Sequence, residues 1–228
     1  MGTVQSFLDN MNWIQLVVLV MGAVASLVCV TVHELSHGLI AYRLGDPTAK
    51  LNGRLTLNPV AHVDMVGLFL MLVVRVGWAK PVPVDMRNFK NPKRGMAITA
   101  LAGPVSNLVL AFVSVAICSG VYWFAPDHPV CAYIMLFFTY MAVLSIGMGL
   151  FNLIPMPPLD GSKILFSLLP ARIYGFILRY ERYVIVAVVL MAWTGILSGP
   201  LWILVRGIMQ LLCGVTGFPF EIPQYYFF

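Results

Sequence analysis

Long apolar stretches separated by short charged clusters dominate the pattern along the chain. Residues 13–32 carry no acidic or basic side chain, and a helix of that length, at about 1.5 Å per residue, crosses the roughly 30 Å of bilayer hydrocarbon. The helix is expected to continue to Tyr42, because the helix-ending residues Gly45, Asp46 and Pro47 follow only there. The pattern therefore predicts a first membrane-spanning helix.

Two further uncharged runs, residues 96–125 and 130–159, are separated only by a short Pro-Asp-His-Pro turn. They predict a transmembrane helical hairpin. Three prolines between residues 155 and 158 remove backbone donors, so the second helix should break just before Asp160. A last apolar region, residues 183–205, contains Gly199 and Pro200, and the pattern leaves open whether it crosses once or folds back.

The apolar stretch at residues 65–74 is too short to span the bilayer as a helix, so we predict a re-entrant or interfacial segment. Residues 54–58 alternate partly between apolar and polar, and the two prolines of residues 80–84 suit an edge strand. The predicted fold class is an all-α polytopic membrane protein. It is a transmembrane helical bundle with a small re-entrant or surface β-hairpin, and residues 1–228 form a single domain.

Composition supports a membrane domain and argues against a nucleic-acid partner. Hydrophobic residues make up 60% of the chain and charged residues 10%, and the formal net charge is +5. Lys and Arg lie beside the apolar runs, at 43–54, 75–94 and 163–182, and the turn at 126–129 has neither. The positive-inside rule therefore predicts a multi-pass protein of the cell membrane, with the first three regions cytoplasmic and the turn external.

The cysteines show no metal-binding or disulfide spacing. Each lies in or at the end of an apolar stretch, without a C-x-x-C pair, which predicts packing residues. They are Cys29, Cys118, Cys131 and Cys213.

His33, Glu34 and His37 form an H-E-x-x-H motif on the first predicted helix. Residues four apart lie on one helix face, so both imidazoles can bind one Zn²⁺. Glu34 is rotated by about 100° from His33, so its carboxylate can reach a water at the metal without ligating the metal. A hydrogen-bonded pair of core histidines is the structural alternative. Three ionisable groups in an apolar helix favour a functional site.

A catalytic zinc needs a third protein ligand, and Asp160 is the candidate. It follows the proline-broken segment and lies on the same predicted cytoplasmic side as His37, which places the site near that side. The alternative is that Asp160-Gly161 forms only a turn and a helix cap. His62 and Asp64 could form a second polar cluster, and we interpret them as structural or interfacial.

These residues resemble the site-2 protease family of intramembrane zinc metalloproteases. The resemblance includes Asn152-Leu153-Ile154-Pro155 followed by Leu159-Asp160-Gly161, similar to the family's N-x-x-P-x-x-x-L-D-G motif. It also includes the Gly-Pro-Asn segment in residues 102–107. The resemblance covers most of the chain. It implies a compact form, because no segment resembles the PDZ or CBS domains that many relatives carry.

The resemblance implies a zinc endopeptidase whose substrate is a transmembrane protein or peptide. His33, His37 and Asp160 would be the zinc ligands and Glu34 the general base. Asn107 and Asn152 would be polar groups near the substrate path, and the surface hairpin would pair with substrate as a strand. For Asn107, an interhelical structural hydrogen bond is the alternative.

Two other functions fit parts of the pattern. Two histidines and an aspartate in a helical bundle can also bind a transiting metal ion, as in a transporter or a zinc-binding scaffold. Glu34 argues against this, because a transport site has no need for an acid placed beside the metal. An inactive protease that only binds transmembrane helices is disfavoured because all three ligands and the base are present.

Overall fold

The computed structural model describes residues 13–65, 67, 79–125, 128–169, 183–191 and 194–228, and the regular elements in these ranges are helical. Two 3₁₀ turns, Pro59–His62 and Met86–Asn88, accompany them. The α-helices in chain order are α1 (Trp13–Arg43), α2 (Thr48–Leu51), α3 (Pro92–Phe124), α4 (Pro129–Asn152), α5 (Asp160–Leu168), α6 (183–191), α7 (Ser198–Thr216) and α8 (Glu221–Phe227).

Helices α1, α3, α4 and α7 are long and apolar enough to cross a membrane. The predicted first span and the predicted hairpin are confirmed as α1 and the α3–α4 pair. Large apolar side chains such as Leu19 and Phe124 are exposed on the outside of these helices. Such surfaces are expected where lipid replaces water as solvent. These features are those of a multi-pass membrane protein.

The helix ends follow the expected local chemistry. Gly45 adopts a φ of 108° just after α1, a conformation that other residues rarely adopt. The side chain of Asn91 accepts a hydrogen bond from the Arg94 amide at the start of α3. At the start of α4, His128 Nδ1 accepts one from the Val130 amide. Helix α4 ends at Asn152, so the break predicted before Asp160 is also confirmed.

Helix α3 is central, because it contacts α1, α4, α5 and α7. One core cluster lies between α3, α4 and α7 and contains Val115, Ile146 and Met209. A smaller one joins α1 to α4 through Ala25, Cys29 and Met141. All four cysteines are free, and Cys29, Cys118 and Cys213 are buried, as expected for packing residues.

The last apolar region does not form one continuous helix. The chain turns at residues 195–197, where Gly195 has a φ of 74°, and α7 begins at Ser198. Gly199 and Pro200 lie in its first turn, where proline is tolerated because that N–H has no intrahelical partner. At its other end the Thr216 carbonyl accepts a hydrogen bond from Ser119 Oγ (2.6 Å). The C-terminal ends of α3 and α7 therefore lie together.

The strands predicted at residues 54–58 and 80–84 are absent, which corrects the β-hairpin of the predicted fold class. Among the described residues only an isolated antiparallel bridge joins Val63 and Ala79. Pro81 and Pro83 have no amide hydrogen to donate, and the Val82 amide donates to a Glu34 side chain instead of to a strand. Most of the predicted re-entrant segment, residues 65–74, lies outside the described residues.

Asp46 connects the end of α1 to the segment before α3. It is fully buried, and its carboxylate accepts hydrogen bonds from the Thr48 amide (3.0 Å), the Asn88 side chain (2.7 Å) and the Asp85 amide (2.7 Å). Burial opposes ionisation, but these bonds, with one from the Thr48 hydroxyl, hold the pKa of Asp46 below its ordinary value. The network therefore depends on the ionised carboxylate.

Replacing Asp46 with Asn should lower the free energy of unfolding at pH 7 by about 1–3 kcal/mol, because an amide cannot accept all of these bonds. The folded-state pKa lies below the unfolded value of about 3.9, so the contribution is present above that pH and is lost as the pH falls through the folded-state pKa. Thermal unfolding in detergent at pH 7 and at lower pH measures this. Arg87→Gln, at an exposed side chain, should leave the melting temperature unchanged. An equal loss at every pH would contradict the ionised network.

Candidate metal centre

Helix α1 carries His33, Glu34 and His37 in its last third. The two imidazole rings lie on the same face, with centroids 4.6 Å apart and planes at 90°. Both are buried, at 5% and 7% exposure. The four-residue spacing therefore directs two histidines to one place inside the bundle.

Asp160 reaches the same place from the first residue of α5. Gly161 makes this possible, because a Cβ there would lie 2.5 Å from the Ile154 carbonyl oxygen. Asp160 Oδ2 lies 3.1 Å from His33 Nε2 and 2.9 Å from His37 Nε2. The structure thus brings together the three residues predicted as metal ligands.

A second set of contacts orients two of these three side chains. His37 Nδ1 donates a hydrogen bond to the Thr99 carbonyl (2.7 Å), which holds the ring with Nε2 directed at Asp160. Lys163 Nζ donates to Asp160 Oδ1 at 2.9 Å. His33 Nδ1 is buried and has no hydrogen-bond partner in the described ranges.

Asp160 is ionised at neutral pH. Burial by itself would favour the neutral acid, but hydrogen bonds with His33 and His37, together with the charges of His37 and Lys163, hold the pKa of Asp160 below its ordinary value. A carboxylate is therefore available as an anionic metal ligand.

The donor set fits a zinc ion. One ligand atom from each of the three residues lies within 4.8 Å of the other two. Ligand atoms of a tetrahedral zinc, at about 2.0–2.1 Å from the metal, lie about 3.3 Å apart, close to the two His–Asp distances of 3.1 and 2.9 Å. Two imidazole nitrogens and one carboxylate oxygen leave a fourth position open, as in catalytic zinc sites.

Glu34 is beside these three residues but outside the group that converges. Its Oε2 accepts a hydrogen bond from the Val82 amide (2.9 Å). Within the described part of the chain, its other carboxylate oxygen accepts none. Glu34, one residue after His33 in α1, therefore has one oxygen that accepts no hydrogen bond from the described residues, and it is not part of the group of three.

Asn107 and Asn152 do not hydrogen-bond to the His–Asp group. Asn107 is fully buried on α3, and among the described residues neither its side-chain oxygen nor its nitrogen has a partner. Asn152 Nδ2 donates to the Met148 carbonyl in its own helix (3.0 Å). His62 is also buried, and its Nε2 lies 2.9 Å from the Thr56 carbonyl, while its Nδ1 has no partner among the described residues. Its structural role stays a prediction.

Four contributors to the site were not assigned to it from the sequence. They are the Thr99 carbonyl, the Val82 amide, the Lys163 ammonium and Gly103. A Cβ at Gly103 would lie 2.6 Å from atoms of both imidazole rings, so this glycine lets α3 approach α1. The position of Lys163, three residues after Asp160 on a helix, was a usable signal. The Thr99 carbonyl and the Val82 amide could not be found from residue types, because nearly every residue has the same backbone groups.

Comparison with known proteins finds related sequences. A profile of peptidase family M50 matches residues 127–195. YwhC of Bacillus subtilis (strain 168), provisionally named a zinc metalloprotease, is 39% identical over 178 residues, covering 77% of this chain and 81% of that protein. Rip2 of Mycolicibacterium smegmatis, with the same provisional description, is 30% identical over 165 residues, covering 67% of this chain and 62% of that protein. No solved structure matches.

Gly103→Ala should displace the two imidazoles and weaken zinc binding at least about tenfold, within the range of effects known for residues that orient ligands. Zinc content after dialysis and competition with a chelator measure the loss. The control is Gly120→Ala in the same helix, where a Cβ would meet nothing within 4 Å and zinc affinity should not change. Normal zinc affinity in the Gly103 variant would show that the histidines do not need this close approach.

Proposed function

The chain belongs to peptidase family M50, the site-2 protease family of zinc metallopeptidases, and we propose that it hydrolyses peptide bonds of membrane-spanning proteins or peptides. In this proposal His33, His37 and Asp160 hold the zinc, and Glu34 is the general base. Residues 1–228 act as one transmembrane metalloprotease domain.

The observation that carries the proposal is the convergence of two imidazoles and one carboxylate on a single point, with a second carboxylate beside them. A structural zinc site is closed by four protein ligands, whereas this group offers three. A binding or transport site has no requirement for a partly free carboxylate next to the metal. Hydrolysis requires one to accept a proton.

Zinc held by these three residues would supply Lewis-acid activation of a water molecule and of the scissile carbonyl. Glu34 accepts the proton of that water on its free oxygen while Val82 keeps the other oxygen in place. The water oxygen bonds to the carbon of the scissile carbonyl, and the carbon–nitrogen bond breaks as Glu34 delivers the proton to the nitrogen of the leaving amine. His37 retains its Nδ1 proton throughout, because the Thr99 carbonyl binds it.

Membrane-spanning substrates are proposed because the site is enclosed by helices that are themselves exposed to lipid. A helical substrate has its carbonyl groups bonded to amides four residues on, so it must unwind locally before a carbonyl can enter the site. Unpaired backbone groups are costly in hydrocarbon, and polar side chains in the site would bind them.

Asn107 is proposed to provide such a polar group. A buried side-chain amide without a partner is unusual, and its Nδ2 and Oδ1 could bind the unwound backbone of a substrate or stabilise the oxyanion. Asn152 is proposed as a second polar group near the substrate path, since its Nδ2 alone is engaged within its helix.

The active site is proposed to lie near the cytoplasmic side. His37 is about 9 Å along the helix from Arg43, and Lys50 and Arg54 follow at the same end of α1. Helix α3 begins at this end with Lys93 and Arg94. Lys and Arg are absent from the sequence of the turn between α3 and α4. The positive-inside rule then orients the molecule.

Glu34→Gln should reduce peptide cleavage by at least about 100-fold while zinc content stays the same, because the amide cannot accept a proton. Purified protein in detergent would be assayed on a panel of single-span membrane peptides, with zinc measured in every sample. His33→Ala is the matched control, which should lose both zinc and cleavage. Full turnover by a zinc-loaded Glu34→Gln variant would exclude Glu34 as the base. Zinc retention without cleavage by the unmodified protein would favour a scaffold or transporter.

Two single-cysteine variants test the orientation. Leu51→Cys and Phe124→Cys replace side chains that are 80% and 92% exposed at opposite ends of the bundle. In a Cys131→Ser background, an impermeant maleimide should label position 124 in intact cells and position 51 only after the membrane is opened. The opposite pattern would place the active site near the external side.

A further inference from the structure

We propose that Lys163 is a positioning residue that holds Asp160 with only one carboxylate oxygen facing the metal. The inference rests on the proposed role of Asp160 as a zinc ligand and adds a function for a residue outside the ligand set and the base. Lys163 contacts none of the reacting atoms, so it acts through Asp160.

The two carboxylate oxygens of Asp160 have different partners. Oδ1 accepts a hydrogen bond from Lys163 Nζ at 2.9 Å. Oδ2 lies near the Nε2 atoms of His33 and His37, at 3.1 and 2.9 Å. The carboxylate thus has one oxygen directed to the metal site and the other bound to an ammonium group.

This division matters because a carboxylate can bind a metal through one oxygen or two. If both oxygens of Asp160 bound the zinc, they would compete with water for the position that hydrolysis needs. A hydrogen bond between two ionised groups is stronger than one between neutral groups, so the ammonium competes well for Oδ1. Lys163 therefore fixes the rotation of the carboxylate and leaves the fourth position open.

The exposure of the two side chains agrees with this role. The Asp160 side chain is 7% exposed and that of Lys163 is 46% exposed, so the ammonium approaches the buried carboxylate from the accessible edge of the site. An ion pair between two exposed residues would contribute little. Here the acceptor is buried, and residues that bind a ligating carboxylate commonly affect metal affinity and activity.

Lys93 provides a matched control. It lies at the start of α3, and its Nζ donates to the Leu169 carbonyl just after α5 (2.9 Å). Lys93 therefore binds the residue that follows the same short helix through an ammonium group, without contacting Asp160. Lys163 and Asp160 belong to the same helix, so their ion pair could serve only to stabilise α5. If that were its only role, removing either ammonium would have the same effect.

The test compares Lys163→Met, Lys163→Arg and Lys93→Met in the full-length protein. Methionine keeps the apolar stem and removes the charge, and arginine keeps a donor for Oδ1. Lys163→Met should raise the zinc dissociation constant about tenfold in a chelator competition and lower turnover at saturating zinc to a similar extent. Lys163→Arg should keep most of the zinc affinity and turnover of the unmodified protein, and Lys93→Met should change neither quantity.

Unchanged zinc affinity and turnover in Lys163→Met would overturn the inference, and so would equal losses in Lys163→Met and Lys93→Met. Asp160→Asn separates this inference from the proposed function on which it rests. If Asp160→Asn loses zinc while Lys163→Met keeps normal zinc affinity and turnover, only the proposed role of Lys163 is contradicted. Normal zinc affinity in Asp160→Asn would instead overturn the ligand assignment. Melting temperatures of all four variants identify any change caused by unfolding.

Discussion

Two imidazoles and a carboxylate inside an apolar helical bundle can be accommodated only if they satisfy one another. An isolated buried charge costs far more than a paired one, and the cost is greatest where lipid excludes water. Asp160 meets this constraint by placing one oxygen against His33 and His37 and the other against Lys163. The remaining polar atom of His37 is satisfied by a backbone carbonyl of the central helix. The packing of α1, α3 and α5 follows from the need to keep these groups together.

Close approach between helices makes this arrangement possible. Gly103 allows α3 to lie against the imidazole rings, and Gly161 allows α5 to begin against the chain that leaves α4. A methyl group at either position would overlap its neighbours. Small residues thus allow these helices to meet at the site. One apolar cluster between α3, α4 and α7 and another between α1 and α4 hold the helices in place.

The segment before α3 has a different role from the one that its alternating prolines suggested. Val82 lies between Pro81 and Pro83, which have no amide hydrogen, and its own amide donates a hydrogen bond to the Glu34 carboxylate. Asp46 binds the same segment a few residues later, through the Asp85 amide. The carboxylates of Glu34, in α1, and Asp46, just after α1, therefore position this segment. The segment in turn orients Glu34, the proposed base. Each carboxylate of the site, Glu34 and Asp160, has one oxygen held by a donor.

Features that depend on local periodicity and on composition could be predicted from the amino-acid sequence alone. Uncharged length located the spans that became α1, α3 and α4, and the four-residue spacing placed His33 and His37 on one helix face, because helix geometry repeats regardless of context. Asp160 was predicted as their partner because a catalytic zinc needs a third ligand, and because this residue follows the proline-broken segment on the same predicted side as His37. The contact of Asp160 with the histidines could not be predicted in this way. The same holds for the turn at Gly195 and for the absence of strands beside Val82. Those outcomes depend on distances between segments far apart in the chain and on backbone groups such as the Thr99 carbonyl and the Val82 amide. Every residue type except proline carries the same backbone groups, so a sequence cannot indicate which of them a folded site will use.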